Sequence, residues 1–277
     1  MISSKDLAHL FMFDGKIVSE SDLRLPAVWP AVMRGESIFE AFLVRDGQLP
    51  PHINDHDDRL CLSAQLTGFS IKKGYLREEL MKLLPFLEQG DWRVRCTVLR
   101  GLDNQHTMFS AGPEPIPPKE VKLCLSPYRL DPCDPLAGAK TSSRIMYQRA
   151  RAYAEEMGAY EALLQTIEGD WAEGTSTNFF IWTGSTIITP PLTRGILGGV
   201  TRLNVLRSFE VANISCDESR LETSDLEEAL EIYITNAVIG LIPITKIKGI
   251  NKNFPGLKGS KLEEVRRAYS RFLYQLT

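Results

Sequence analysis

The chain has 277 residues, of which 43% are hydrophobic and 24% charged, an ordinary globular composition at a length that suits two domains. Its net charge of −3 excludes a chain-wide attraction to nucleic acid or to an anionic membrane surface. No apolar run approaches the roughly 20 residues that span a bilayer, and five cysteines without C-x-x-C spacing indicate reduced thiols in a cytoplasmic protein, not a disulfide framework.

The first part of the chain predicts short strands and two helices. In order, these are strands at 11–18 and 38–44, helices from about 54 to 67 and from 76 to 87, and strands at 92–99 and 121–125. Asn54 or Asp55 can cap the first helix, and Gly68 can end it. The tripeptide Arg45-Asp46-Gly47 is a turn signal that precedes a further short strand.

A connector separates this part from the next. The segment 126–138 contains three prolines and has no helical periodicity. It therefore predicts a smaller α/β domain over 1–126, an interdomain linker over 127–137 and a larger domain over 138–277.

The second part predicts helices interspersed with strands. In order, these are a helix at 145–157, strands at 162–166, 178–182 and 186–189, a helix from 200 to 208, and a strand, turn and strand at 233–244. Ser224 and Glu227 have the spacing of a capping box for a short helix. A C-terminal helix shows one apolar face, formed by Leu262, Val265, Tyr269, Phe272, Leu273 and Leu276.

Two segments of the second part carry the chemical signal. In 173–180, Glu-Gly-Thr-Ser-Thr-Asn-Phe-Phe, a carboxylate precedes an apolar run, and in 197–202, Leu-Gly-Gly-Val-Thr-Arg, glycines and a hydroxyl stand where a helix begins. An acid that keeps a ring nitrogen protonated and an anion cradle at a helix N-terminus are two of the three parts of a pyridoxal phosphate site. The third part is a lysine that holds the aldehyde, and Lys140 lies upstream in a loop before a helix.

Each of these residues also has a purely structural interpretation. Lys140 taken alone is a solvated lysine, and Glu173 is a turn carboxylate before a strand. Asn178 can hold a turn with its amide, and a double glycine is often only a tight turn. Arg59 can offer a guanidinium to a phosphate, or it can pair with Asp55 one helical turn away.

Other chemistries lack their motifs in this sequence. Of His52 and His56, only the second falls on the predicted helix, so a metal site is not expected there. The chain contains no serine nucleophile elbow, no P-loop and no G-x-G-x-x-G.

In this order, the segments resemble the class IV aminotransferase family, the fold-type IV pyridoxal phosphate enzymes. That family includes D-amino acid and branched-chain aminotransferases and 4-amino-4-deoxychorismate lyase. Its signature is matched by Glu173, Thr175, 178–180, 187–189 and 197–202. Further elements of the family are matched by 35–40, 56–68, 93–101, 235–237 and 242–244.

The resemblance implies a mixed α/β (α+β) fold of two domains, like that of D-amino acid aminotransferase, with pyridoxal 5'-phosphate in the cleft between them. It also implies a homodimer, with the larger domain binding the cofactor. Lys140 would form the internal aldimine and shuttle the proton, and Glu173 would pair with the pyridine nitrogen. Further cofactor contacts are expected from Arg59, Asn178, Gly199, Val200, Thr201, Thr235 and Asn236. Candidates for binding the substrate are Phe39, Arg95, Arg100 and His106.

The member of the family is less sharply indicated. Branched-chain enzymes often carry Asn-Tyr where this chain has Arg144-Ile145, and the Arg-x-His trap of D-amino acid enzymes is reduced here to His106. Arg144 and Asn236-Ala237 partly match the lyases. We predict transfer of an amino group between an amino acid and a 2-keto acid. The alternatives are 4-amino-4-deoxychorismate lyase, which releases pyruvate and 4-aminobenzoate, and a binding protein that has lost the cofactor.

Overall fold

The computed structural model describes residues 9–87 and 90–274, and the chain forms two compact units. The N-terminal unit comprises Met1–Ile116 and Ala139–Ser143, and the C-terminal unit comprises Pro117–Gly138 and Arg144–Thr277. These limits differ from the predicted division at 126 and from the predicted linker at 127–137. The short segment that contains Lys140 belongs to the N-terminal unit.

An antiparallel sheet forms the frame of the N-terminal unit. Its strands are β1 Leu10–Phe13, β2 Lys16–Val18, β3 Ser37–Arg45, β4 Asp91–Arg100 and β5 Gln105–Pro113. They lie in the order β2-β1-β5-β4-β3, so β3 is an edge strand within the described residues. The helices are α1 Pro30–Met33, α2 Ile53–Thr67 and α3 Tyr75–Leu83.

The core of this unit follows from two periodicities. On α3, Leu76, Leu80 and Leu83 recur at helical spacing and all are fully buried. On β3, Ile38, Phe42 and Val44 fall on alternating positions of the same face, and all three belong to the same core. A carboxylate, Glu40, lies between them on the buried face of the strand.

Several sequence predictions in this unit need correction. The run 11–18 is a hairpin, because Asp14 and Gly15 adopt positive φ and turn the chain. The helix predicted at 76–87 is α3, which ends at Leu83. A 3₁₀ turn follows it, since Pro85 cannot donate a helical hydrogen bond. Strand β5 was not predicted. No strand forms among the described residues between the turn at 45–47 and the start of α2, where a further short strand was predicted. The predicted stop at Gly68 is confirmed, with a φ of 72°.

The C-terminal unit is built on a mixed sheet. Its strands are β6 Val121–Leu130, β7 Glu161–Thr166, β8 Trp171–Gly174, β9 Asn178–Trp182, β10 Ile187–Thr189, β11 Cys216–Glu218, β12 Glu231–Asn236 and β13 Gly240–Lys248. They lie in the order β11-β10-β9-β12-β13-β6-β7-β8. The helices are α4 Ile145–Glu156, α5 Val200–Ala212, α6 Thr223–Glu228 and α7 Leu262–Tyr274.

The difference from the predicted linker has a physical cause in β6. This strand pairs in parallel with β13 and with β7, and its register to β7 shifts between Leu125 and Arg129. Pro127 falls inside that irregularity, where a strand tolerates a residue that cannot donate to the ladder. The proline therefore marks a bulge in a strand of the sheet, which sequence alone does not distinguish from a connector.

Other predictions in this unit are settled as follows. Strands β8 and β11 were not predicted, because they are only four and three residues long and show no alternation of buried and exposed positions. The capping box of α6 is formed by Glu222 and Asp225, so the predicted pair Ser224 and Glu227 is wrong by two positions. On α7, Leu262 and Val265 are buried as expected, whereas Leu276 lies outside the described residues. In 9–87 and 90–274, no helix is both long and apolar enough to cross a membrane.

We expect Leu80→Ala to destabilise the N-terminal unit by roughly 2 to 5 kcal/mol, because it removes a fully buried side chain and leaves a cavity. Met81, the next residue on the same helix, is 53% exposed. Met81→Ala should therefore change the free energy of unfolding by no more than about 0.5 kcal/mol. Urea unfolding followed by circular dichroism compares the two variants, and equal effects would contradict the packing described for α3.

Candidate active site

Lys140 lies on a short segment that is fastened to β3 and α2. The backbone N–H of Phe39 donates to the Lys140 carbonyl at 2.9 Å, and the N–H of Ser142 donates to the Ser37 carbonyl at 2.9 Å. On the other side, the Lys140 N–H donates to the Ser63 hydroxyl at 3.0 Å. These bonds hold the backbone of Lys140 at both faces, and its side chain is half-buried.

Phe39 and Arg95, both substrate candidates, lie next to Lys140. The Lys140 Nζ is 4.6 Å from the centroid of the Phe39 ring, and the Arg95 guanidinium carbon is 3.5 Å from it. Arg95 also donates to the hydroxyls of Ser142 at 3.0 Å and Thr97 at 3.1 Å. One aromatic ring therefore contacts two cationic side chains, an arrangement that stabilises both charges through the π-face.

A buried carboxylate fixes Arg59 in the same unit. Glu40 is fully buried, and it accepts hydrogen bonds from Arg59 Nε at 2.7 Å and Arg59 Nη2 at 2.6 Å. Its Oε2 also lies 2.7 Å from His56 Nδ1. This bidentate geometry fixes the orientation of the guanidinium.

The protonation states of Glu40 and His56 follow from this packing. Burial by itself would raise the pKa of Glu40, but the charge of Arg59 and the hydrogen bonds from Arg59 and His56 outweigh it and lower that pKa from 4.5 to about 2. Burial lowers the pKa of His56 against the opposing effect of Glu40, and the charge of Lys140 acts in the same direction as burial. His56 is therefore a neutral imidazole at pH 7, and it donates its Nδ1–H to Glu40.

Arg100, another substrate candidate, makes contacts of a structural kind. Its Nε is 2.9 Å from Glu36 Oε2, and its Nη2 donates to the carbonyls of Thr67 and Gly68 at 3.0 and 3.1 Å. Its guanidinium also lies 4.2 Å from the centroid of the Phe69 ring. These bonds satisfy the carbonyl groups at the C-terminal end of α2.

His106, the fourth substrate candidate, is stacked against two aromatic rings. Its ring lies 4.2 Å from that of Trp29 and 5.6 Å from that of Phe13, both nearly parallel to it. Its Nδ1 is 2.7 Å from Asp14 Oδ2. The imidazole is therefore held by the β1 turn and by Trp29.

Glu173 occupies the C-terminal unit, where three donors hold its carboxylate. The side chain is buried, and its Oε1 accepts a hydrogen bond from the Tyr147 hydroxyl at 3.0 Å. Its Oε2 accepts hydrogen bonds from Asn178 Nδ2 at 3.3 Å and from the Leu197 N–H at 3.0 Å. Such donors suit an ionised carboxylate, which can accept a further bond from a protonated ring nitrogen.

Tyr147 was not recognised from the sequence. It lies on α4, where an aromatic residue reads as a packing residue, and only the fold brings its hydroxyl to Glu173. Burial, reinforced by the charge of Glu173, raises the pKa of Tyr147 far above its usual 10, so the phenol remains a donor. The Arg144 guanidinium covers its ring at 3.9 Å and donates to the Thr175 carbonyl at 2.8 Å.

The glycine pair at 198–199 brings the start of α5 against Asn178. Gly199 is the N-cap residue, and a Cβ placed there would lie 2.0 Å from Asn178 Oδ1. A larger residue would therefore displace the amide that donates to Glu173. The first backbone N–H groups of α5, which include those of Val200 and Thr201, have no carbonyl partner within the helix. Such groups are suited to bind an anion.

Thr235 and Asn236 end strand β12 beside this cluster of predicted residues. Thr235 pairs in register with Asn178, and in the described part of the chain its buried hydroxyl has no hydrogen-bond partner. Asn236 donates from Nδ2 to the Ser176 carbonyl at 3.3 Å, and its Oδ1 accepts from the N–H of Val238 at 2.9 Å. A buried hydroxyl in this position fits an acceptor group such as a phosphate oxygen.

Comparison with known proteins identifies one family for most of the chain. A family model described as amino-transferase class IV matches residues 37–247. The chain is 27% identical over 260 residues to a D-alanine aminotransferase of Bacillus licheniformis, covering 88% of this chain and 91% of that protein. It is 28% identical over 273 residues to a putative branched-chain-amino-acid aminotransferase of Methanocaldococcus jannaschii, covering 91% of this chain and 93% of that protein. It is 27% identical over 258 residues to an aminodeoxychorismate lyase of Bacillus subtilis, covering 86% of each.

Solved structures show the same fold. A branched-chain aminotransferase of Thermoproteus uzoniensis superposes with a TM-score of 0.85 at 22% identity, covering 96% of this chain and 95% of that one. A hypothetical aminotransferase from Mycobacterium tuberculosis, in its PLP-bound form, superposes with a TM-score of 0.84 at 20% identity, covering 96% and 99%. The expected mixed α/β fold of the fold-type IV enzymes is thereby confirmed.

The pH dependence of stability tests the Glu40 assignment. Because the folded-state pKa of Glu40 lies below its ordinary value, its stabilising effect is complete above pH 4.5 and is lost as the pH falls toward about 2. Glu40→Gln should lower the free energy of unfolding at pH 7 by roughly 3 to 5 kcal/mol, since it leaves Arg59 buried without its counterion. Urea unfolding at pH 7, 5 and 3 measures both effects.

The control is Glu78→Gln, at an exposed carboxylate whose partner is Lys72. This variant should change stability at pH 7 by no more than about 1 kcal/mol and should keep the acid dependence of the parent chain. If Glu40→Gln also kept that acid dependence in full, the ion pair between Glu40 and Arg59 would not be the cause.

Proposed function

The chain belongs to the class IV aminotransferase family and is an enzyme of that class, and from this premise we propose that it is a pyridoxal-phosphate-dependent transaminase. It would transfer an amino group between an amino acid and a 2-keto acid. The observation that carries this proposal is the buried carboxylate of Glu173, held by Tyr147, Asn178 and the Leu197 N–H in the same unit as the open N-terminus of α5.

The residues present fit the cofactor. Glu173 offers an ionised oxygen to a pyridine nitrogen, and the start of α5 offers backbone N–H groups to a phosphate. The Thr235 hydroxyl, buried and without a partner among the described residues, has the capacity for one more hydrogen bond to that phosphate. Arg59, Val200, Thr201 and Asn236 complete the proposed phosphate contacts. When bound, pyridoxal phosphate supplies an aldehyde and an electron-withdrawing ring.

Lys140 is the proposed catalytic residue. Its backbone is fixed by Phe39 and Ser63, so the Nζ moves only through its own side-chain torsions. With pyridoxal phosphate bound, the Lys140 Nζ would hold its aldehyde, and the same amine would act as the general base and acid that moves the α-proton of the substrate. A general base needs an unprotonated amine, because the lone pair of its nitrogen accepts the proton.

Arg95 is the best-supported of the residues proposed to bind the substrate carboxylate. It shares the Phe39 ring with Lys140, which places a guanidinium near the proposed catalytic amine. A guanidinium binds a carboxylate through two parallel hydrogen bonds and so fixes its orientation. Arg100 and His106 remain weaker candidates, because their polar groups bind α2 and the β1 turn.

The homodimer and the cytoplasmic location also remain proposals. The location is supported by the five cysteines, all of which are free thiols in the structure. The dimer is implied by the family alone, and size-exclusion chromatography with light scattering would test it.

Lys140→Ala should reduce turnover by about 10²-fold or more and should remove the yellow absorbance of the protein that carries pyridoxal phosphate. The parent chain is mixed with a panel of amino acids and keto acids and, separately, with aminodeoxychorismate. Exchange of the amino group supports the transaminase, whereas pyruvate release without an amino acceptor would replace it by the lyase. If the protein is colourless and binds no pyridoxal phosphate, both the transaminase and the lyase assignment are excluded.

A matched control for this variant is Lys73→Ala. Lys73 belongs to the same unit, and its side chain is 79% exposed and paired with Asp58. This variant should keep both the colour and the turnover of the parent chain. Survival of both in Lys140→Ala would show that another group carries the reaction.

Tyr147→Phe should weaken pyridoxal phosphate binding and turnover by about fivefold to tenfold, because it removes one hydrogen bond from Glu173 and keeps the ring under Arg144. The control is Tyr153→Phe on the same helix, where the ring packs against a separate cluster that includes Cys124. Cofactor titration of the apoprotein, followed by absorbance, gives both affinities. Equal affinities for the two variants would remove Tyr147 from the site.

A further inference from the structure

Glu161, which begins β7, has a fully buried carboxylate that accepts a hydrogen bond from the Ala162 N–H at 3.2 Å and further hydrogen bonds from one turn. Its Oε1 accepts hydrogen bonds from the N–H of Thr175 at 2.9 Å and from the Thr175 hydroxyl. Its Oε2 accepts bonds from the N–H and hydroxyl of Ser176 at 3.2 and 2.8 Å, and from the Thr177 hydroxyl at 3.4 Å. In the part of the chain that the structure describes, no basic side chain is paired with it.

The chemistry of these partners requires a carboxylate. A buried charge without a counterion is costly unless several donors solvate it, and here backbone N–H groups and hydroxyls do so. A glutamine in this position would turn its own NH₂ group toward the N–H of either Thr175 or Ser176. One backbone donor would then be left buried and opposed by another donor.

The turn that Glu161 binds joins the two strands that carry the proposed acid and its amide. Gly174 ends β8 directly after Glu173, and Asn178 begins β9. The turn is closed by a hydrogen bond from the Gly174 N–H to the Thr177 carbonyl at 2.7 Å. A Cβ on Gly174 would lie 2.3 Å from Thr177 Oγ1 and 3.0 Å from the Glu161 Cγ, so the turn is packed directly onto the Glu161 side chain.

Two further residues depend on the same turn. Arg144, whose guanidinium covers Tyr147, donates to the Thr175 carbonyl at 2.8 Å. Asn236, one of the proposed phosphate contacts, donates to the Ser176 carbonyl at 3.3 Å. The position of the turn therefore bears on both ends of the proposed cofactor site in this unit.

We propose that Glu161 is a positioning residue for the cofactor, which acts through the turn 174–177 to set the spacing of Glu173 and Asn178. This inference rests on the proposed function, because it assigns Glu161 to the site that binds pyridoxal phosphate. Glu161 itself makes no contact with the cofactor in this proposal. Its carboxylate fixes the loop backbone, and the loop backbone fixes the acid.

The test compares Glu161→Gln with Glu231→Gln. Glu231 is a second buried carboxylate of the same unit, and it accepts bonds from the Tyr233 hydroxyl at 2.6 Å, the Ser260 hydroxyl at 3.2 Å and the Lys261 N–H at 2.8 Å. It anchors the start of α7, not the turn. The same substitution in a similar environment therefore controls for the general cost of altering a buried carboxylate.

Two quantities are measured for each apoprotein: the Kd for pyridoxal phosphate by absorbance titration, and the midpoint of thermal unfolding. Both variants should lose thermal stability, but Glu161→Gln should raise the Kd by about tenfold or more relative to Glu231→Gln. A Kd for Glu161→Gln within about twofold of that for Glu231→Gln would overturn the positioning role.

A milder pair of variants keeps the test decisive if Glu161→Gln does not fold. Ser176 is exposed, and Ser176→Ala removes one hydroxyl donor from Glu161 while keeping its backbone N–H. It should raise the Kd by about threefold to tenfold. The control Ser185→Ala, in the exposed turn between β9 and β10, should leave it unchanged. Equal Kd values for these two variants would overturn the inference.

Failure of the proposed function is a separate outcome. If the parent chain itself binds no pyridoxal phosphate, then the cofactor assignment fails together with the positioning role. If the parent chain binds it and Lys140→Ala abolishes turnover while the glutamine variants match, only the assignment of Glu161 fails.

Discussion

In each of the two units, the candidate residues depend on one constraint: a buried carboxylate needs hydrogen-bond donors or a counterion at its own position. Glu40, Glu161 and Glu173 are all buried, and moving an ionised carboxylate out of water is costly unless charges or donors replace the water. Each carboxylate therefore determines the position of whatever satisfies it. Loops that would otherwise be mobile are tied to the sheets through these groups.

The two units meet this constraint by different means. In the N-terminal unit, Glu40 is neutralised by the guanidinium of Arg59, a strong interaction that lowers the pKa of the acid and orients the base. In the C-terminal unit, Glu161 and Glu173 are held by backbone N–H groups, hydroxyls and an amide. These neutral donors replace the water that a buried carboxylate loses.

The candidate site was predicted from sequence to a large extent, because its motif is local. Glu173, Asn178 and Gly199 lie within 27 positions of one another, and their contacts in the structure agree with the spacing of the motif. Their roles toward the cofactor remain proposals. Tyr147 could not be predicted, because its hydroxyl reaches Glu173 only through the packing of α4 against the sheet. Likewise, the pairing of Arg59 with Glu40 joins residues 19 positions apart on different elements.

Within the fold, the helices were predicted more accurately than the strands. Helices with a clear apolar period, such as α4 and α7, were found near their observed bounds, since a helix is stabilised by residues close in sequence. Strands β8 and β11 were missed because they are only four and three residues long, and β5 was missed because a strand also depends on partners distant in the chain, here β1. The same dependence explains Pro127: as part of β6 it is a bulge, although its neighbourhood resembles a linker.

The order of residue types alone determined the family and the α/β class. In segments such as 173–180 and 197–202, residues close in sequence lie on the same loop, so their spacing specifies which groups are neighbours. Only the tertiary structure decided that the Lys140 segment belongs to the N-terminal unit, that Tyr147 completes the Glu173 group and that Glu161 holds the turn between the acid and its amide. The reason is physical. Local spacing specifies the chemistry of a segment, whereas burial and long-range hydrogen bonding specify which distant groups satisfy it.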